Sequence, residues 1–163
     1  MLEEVKDICS NLIKETMGDV PYKIEYVNYG TKYLGKCVYK KSKGNYYTLK
    51  FSSLYFNQLY KEGDIAQIKD TVLHEVAHAL CREKYGKGHN HDYYWRIVAQ
   101  SIGCNGERCA RTGIIPYKHI YKCSKCGHLF YRLRKLPSGM QHTRDKGGIE
   151  LFKSFKETQI LIK

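Results

Sequence analysis

The sequence predicts an α+β fold over residues 1–103: an N-terminal helix, a three-stranded antiparallel sheet, and two further helices. A small, basic, cysteine-containing module is expected over residues 104–163. Three observations carry this. Apolar residues recur at helical 3,4 spacing over residues 2–17 and again over 64–85. Between them lie three short Tyr- and Val-rich runs separated by Lys, Ser, Gly and Asn. After Cys104 the helical periodicity disappears, and Gly, Cys and basic residues dominate.

In the first helix, Leu2, Val5, Ile8, Cys9, Leu12, Ile13 and Met17 form the apolar face, and Gly18 suits the C-terminal cap. The strand candidates are Tyr22–Val27, where apolar and polar residues alternate, then Tyr33–Tyr39 and Tyr46–Phe51. A helix from about Asp64 to Tyr85 follows, with Ile65, Ile68, Val72, Leu73, Val76 and Leu80 as its stripe. The loop Gly86-Lys-Gly-His-Asn breaks it. A last helix is expected from about His91 to Ile102, ended by Gly103.

A chain of 163 residues supports one domain, or one domain with an appendage, and can bury a core without disulfides. Its 42% hydrophobic and 27% charged residues exclude a disordered chain. No apolar run reaches the length of a transmembrane helix. The start, MLEEVKDICS, is acidic and amphipathic, unlike a signal peptide, so a soluble, cytoplasmic monomer is expected. Seven cysteines in such a chain argue for metal binding or burial rather than disulfides. Cys9, Cys37 and Cys81 fall in apolar patterns and are expected in the core.

The net charge of +12 is unevenly placed. Residues 1–104 hold 15 Lys/Arg against 12 Asp/Glu, whereas residues 105–163 hold 13 against 4. A basic tail on a near-neutral body points to a polyanion, most simply DNA, over the plainer alternative of a solvated basic surface. Tyr117, Tyr121, Phe130, Tyr131, Phe152 and Phe155 are interleaved with the charges, as base stacking requires. Lys118, Lys122, Lys125, Arg132, Arg134 and Lys135 are the candidate nucleic-acid contacts.

Residues 74–78 read HEVAH. On a helix, His74 and His78 lie one turn apart on one face and can share an ion, with Glu75 beside them to hold a water that the ion activates. This is the HExxH arrangement of zinc hydrolases, usually metallopeptidases. A chance occurrence in a chain of this length is on the order of one in a few hundred. That favours the motif over a helix that merely carries two surface histidines. A catalytic zinc needs a third protein ligand. His89, in the Gly-rich loop, and His91 are the candidates. His91 is favoured because Trp95, Val98 and Ile102 follow it at i+4, i+7 and i+11, the apolar face that packs on the domain. Asp92 would then sit in the first turn, where its charge suits the helix dipole.

Helix, three strands, HEVAHAL, the Gly-His loop, HDYYW and IGCNGERC together resemble the SprT-like (Spartan-type) zinc metallopeptidases, with short phage and bacterial members most similar in length. The resemblance spans roughly residues 1–135. It implies that the third ligand is a histidine four residues before an aromatic, which here is His91 before Trp95. It also implies hydrolysis without a covalent intermediate, in which Glu75 takes a proton from zinc-bound water and passes it to the leaving amine. Spartan cleaves proteins crosslinked to DNA, so a DNA-repair role on DNA-associated protein substrates is implied in the same way.

Members of this family often end in a zinc ribbon with two CxxC half-sites. Here Cys123-Ser-Lys-Cys126-Gly supplies one, while His142-Thr-Arg-Asp-Lys-Gly-Gly keeps the double glycine without cysteine. Structural zinc takes four ligands. A second, structural ion would be held by Cys104, Cys109, Cys123 and Cys126, or by His142 with or without Asp145 in place of the first pair; the remaining alternative is a metal-free ribbon. Two other functions compete with a peptidase acting on DNA-bound proteins. One is a non-catalytic, zinc-containing DNA-binding accessory protein. The other is a peptidase that cuts a transcriptional regulator, with DNA contact incidental.

Overall fold

Val5, Cys9, Ile13 and Met17 recur every fourth residue, and they are the residues that the first helix, α1 (Glu3–Met17), buries. Glu3 and Glu4 occupy its first turn and Gly18, at φ 55°, ends it. The computed structural model describes residues 1–27, 33–41, 45–107 and 114–162. The chain divides into two compact units, Met1–Ala110 and Arg111–Lys163.

In the first unit, β1 (Tyr22–Val27), β2 (Gly35–Lys41) and β3 (Asn45–Ser52) form a sheet in the order β1-β3-β2. β2 and β3 are antiparallel, Gly35 facing Phe51 and Lys41 facing Asn45. β1 and β3 run parallel, from Tyr22 opposite Tyr47 to Val27 opposite Ser52. The sheet is therefore mixed, and the expectation of an all-antiparallel sheet is corrected. Composition accounts for the order. β3 buries Tyr47, Leu49 and Phe51 and takes the centre. β2, with Lys36, Lys40 and Lys41, takes an edge where those charges remain solvated.

A helix absent from the sequence reading follows directly: α2 (Ser53–Lys61). Ser52 caps it by accepting the Tyr55 amide, and Tyr55, Phe56 and Leu59 form its buried face. The Phe56 ring stacks on Phe51 at 5.2 Å, tying α2 to the central strand.

α3 (Ile65–Tyr85) matches its expected span. The Asp64 carboxylate accepts the Gln67 amide at 3.0 Å, and Gly86, at φ 71°, donates its amide to the Arg82 carbonyl at 2.8 Å. Its 21 residues, about 32 Å of helix, pack against α1, α2, β2 and β3. The last helix of this unit, α4 (Tyr93–Ser101), also packs on α3. It begins two residues later than expected, because Asp92 takes the N-cap and accepts the Trp95 amide at 3.1 Å. Trp95, Val98 and Ala99 meet Leu73, Ala77, Cys81 and Cys104 in one buried cluster. Cys9 and Cys81 are buried as expected, and Cys37 is half-buried.

The second unit, where the sequence shows no helical periodicity, is built on a sheet. β4 (Ile114–Cys123), β5 (Leu129–Arg132) and β6 (Ile149–Ile162) form an antiparallel sheet in the order β5-β4-β6. Buried residues alternate along β4 as His119, Tyr121 and Cys123, the period of a strand with one face covered. The Tyr121 hydroxyl accepts the Leu136 amide at 2.9 Å, and His119 pairs with the Ser154 hydroxyl at 2.6 Å. No helix among the described residues is long and apolar enough to cross a membrane.

Candidate metal centre

α3 presents His74 and His78 one turn apart, and both line a cleft of about 670 Å³ in the first unit. The third imidazole arrives from the loop between α3 and α4. His91 is not the first helical residue, as expected, but lies just outside α4 at φ 58°. A non-glycine residue held in that left-handed region costs about 1 kcal/mol or more. The turn brings its Nε2 to 2.8 Å from His74 Nε2 and 3.2 Å from His78 Nε2. Ligand atoms of the three histidines all lie within 4.8 Å of one another.

This donor set fits zinc. Bonds of about 2.0–2.1 Å at tetrahedral angles separate two nitrogens by roughly 3.3 Å, close to the spacing seen. The supporting contacts aim the ring nitrogens. His78 Nδ1 donates to the His89 carbonyl at 3.2 Å, leaving Nε2 as the free lone pair. His74 bonds the Glu107 backbone. The fully buried Trp95 touches all three rings, at centroid distances of 4.7, 5.3 and 4.6 Å to His74, His78 and His91. Burial, with repulsion from His78 and His91, pushes His74 down to about 3; burial and His91 push His78 down to about 4. Both imidazoles are neutral at neutral pH, the form that binds metal.

Glu75, the next residue on α3, turns toward β2. Burial pushes its carboxyl up to about 7, against the hydrogen bond from the Cys37 backbone and the charge of Lys36. A Cβ on Gly35 would lie 2.8 Å from Glu75 Cγ, so the side chain of Glu75 occupies space that only glycine leaves open. The roles of Gly35 and Cys37 are invisible in the sequence, because they depend on which strand lies beside α3.

His89, the alternative third ligand, stands outside the three-histidine group. Its Nδ1 pairs with Asp92 Oδ2 at 2.6 Å, and its Nε2 is buried without a hydrogen-bond partner. Its contribution to the centre is the carbonyl that orients His78. Asp92 thus holds His89 with one oxygen and caps α4 with the other. Asp92→Ala is expected to lower stability by about 0.5–2 kcal/mol through the lost cap, measured by denaturant unfolding of the metal-free protein.

Cys104 is buried in the first unit beside Trp95 and Ala99, where burial pushes its thiol up to about 11. Cys109 lies outside the described residues. In the second unit Cys123 and Cys126 are grouped instead with His142 and Asp145. Of the candidate nucleic-acid contacts, Lys118 is half-buried, while Lys122, Lys125, Arg132, Arg134 and Lys135 are exposed. The Lys122 ammonium lies 5.8 Å from the Phe152 ring centroid, and the Arg132 guanidinium 5.6 Å from that of Phe130.

The family model described as SprT-like matches residues 4–114. Protein SprT-like of Lactiplantibacillus plantarum is 31% identical over 75 residues, which cover 45% of this chain and 51% of that relative. The match therefore spans about half the relative's length. No solved structure matches.

Proposed function

The chain belongs to the SprT-like family, and from that premise we propose that it is a zinc-dependent metallopeptidase acting on DNA-associated or DNA-crosslinked proteins in the cytoplasm. The observation that carries this is the convergence of His74, His78 and His91 in a cleft that Glu75 also lines. The three histidines would hold the ion through their ring nitrogens. When bound there, zinc lowers the pKa of water to about 7 and polarises the scissile carbonyl.

The protein's own residues do the rest. Glu75, anchored by the Cys37 backbone, accepts the proton from the attacking water and delivers it to the leaving amine. β2 borders the cleft through Gly35, Lys36 and Cys37. As an edge strand, it offers backbone donors and acceptors along which an extended substrate segment can pair. Such pairing reads backbone rather than side chains, which suits a peptidase with varied protein substrates.

DNA is the proposed site of action because the charge excess lies in the C-terminal third, where Lys122 and Arg132 are exposed beside the rings of Phe152 and Phe130. The test is cleavage of a DNA-binding protein with and without its DNA across a salt series. Cleavage is expected only with zinc present, to be faster on the DNA-bound substrate, and to lose that advantage steeply as salt rises. DNA binding without zinc-dependent cleavage of any substrate would instead make the chain an accessory binding protein.

A further inference from the structure

We infer that Arg82 forms a carboxylate subsite at one end of the cleft, so that the chain prefers a substrate carrying a carboxylate within a few residues of the scissile bond, on one side only. The inference rests on the peptidase reading above and names a substrate preference for that same cleft.

Register along α3 places the residue. Asp70, His74, His78 and Arg82 recur every fourth residue, so they share one face of the helix, and all four line the cleft. Arg82 stands one turn beyond His78, about 6 Å along the axis. An extended chain advances about 3.3 Å per residue, so a substrate crossing the three histidines reaches the guanidinium roughly two or three residues from the cut. β2 gives a similar spacing. Tyr39, whose ring lies under the Arg82 guanidinium, is two residues beyond Cys37, whose backbone holds Glu75.

The guanidinium is held in place by its surroundings. It lies 4.0 Å from the centroid of the Tyr39 ring. That ring is backed by the ring of buried Tyr47 at 5.5 Å, and the Tyr47 hydroxyl donates to Glu83 Oε1 at 2.6 Å. The loop after α3 closes in as well: a Cβ on Gly88 would lie 2.7 Å from Arg82 Nη2. A planar donor fixed in this way has lost much of its rotamer freedom before a ligand arrives, which favours a bidentate carboxylate.

Among the described residues Arg82 forms no ion pair. The acids of α3 and of the loop after it are engaged elsewhere. Glu83 accepts from Tyr47, Glu75 is held by the Cys37 backbone, and Asp92 pairs with His89. Asp70 accepts the backbone and side-chain amides of Asn105, both at 2.8 Å. Charge also makes the preference one-sided. Asp70 lies one turn before His74, at the far end of the shared face from Arg82, and Glu107 lines the cleft too. A substrate carboxylate is therefore attracted toward Arg82 and repelled toward Asp70.

The test uses short peptides, acetylated and amidated, that carry a single Glu or the matched Gln at each position in turn, with the zinc-loaded full-length chain. Where Glu falls two or three residues to one side of the cut, cleavage is expected to be about tenfold faster than for the Gln peptide, the scale of one charge-assisted hydrogen bond. The gain is expected as a lower KM. Arg82→Ala is expected to equalise the two peptides, and Arg82→Glu to favour Lys at the same position. A parallel set with free C-termini and no Glu separates the end of the chain from an acidic side chain as the carboxylate bound. Calorimetric binding of the same peptides to Glu75→Gln reads the subsite without turnover. Tighter binding of the Glu peptides with no cleavage by the wild type would sink the peptidase reading and leave the subsite standing. Equal treatment of all peptides in both assays, or a carboxylate preference that survives Arg82→Ala, would overturn the subsite.

Discussion

Glu75→Gln is expected to reduce peptide hydrolysis by about 10²–10⁴-fold, the range attributed to general acid–base catalysis, while zinc content stays at the wild-type level. Glutamine keeps the shape of the side chain beside Gly35 and retains an oxygen for the Cys37 backbone. It cannot take the proton from water. His74, His78 and His91 are untouched, so chemistry and metal binding separate in a single variant. The readouts are kcat on an unfolded protein substrate and elemental analysis of the same sample. A variant that cleaves at the wild-type rate removes Glu75 from the mechanism.

Trp95→Ala is expected to destabilise the protein by about 3–5 kcal/mol, the usual range for truncating a large buried aromatic. Trp95 is fully buried and packs on the imidazoles of His74, His78 and His91 as well as in the α3–α4 cluster. Because a domain's whole stability is about 5–15 kcal/mol, the variant sits near the edge of folding. Zinc binds only the folded site, so added zinc is expected to recover part of the loss. Guanidinium unfolding with chelator and with excess zinc measures both effects. A loss below about 1 kcal/mol would show that the ring does not support the centre.

The centre was the most legible part of the chain because half of it is local. HEVAH lies within two turns of one helix, so its face follows from periodicity alone. The sequence places the third histidine at the start of the last helix, facing the core with Trp95. The structure keeps the contact with Trp95 but changes its cause: Asp92 starts the helix, and His91 reaches α3 through a left-handed backbone turn. Local spacing does not encode such a turn.

What stayed hidden depends on chain segments distant in sequence. The parallel pairing of β1 with β3 follows from competition between β2 and β3 for the centre of the sheet, which burial decides. α2 is short and rich in aromatic residues with weak helix propensity, and its packing on Phe51 holds it.

Zinc per chain in His91→Ala compared with His89→Ala tests the central claim most directly, because both histidines come from one loop and only one joins the donor group. Elemental analysis after dialysis against metal-free buffer is expected to show one zinc fewer per chain than wild type in His91→Ala, and the full wild-type content in His89→Ala. Full zinc in His91→Ala, or the loss of an ion in His89→Ala alone, would contradict the assignment of His74, His78 and His91 as the metal centre.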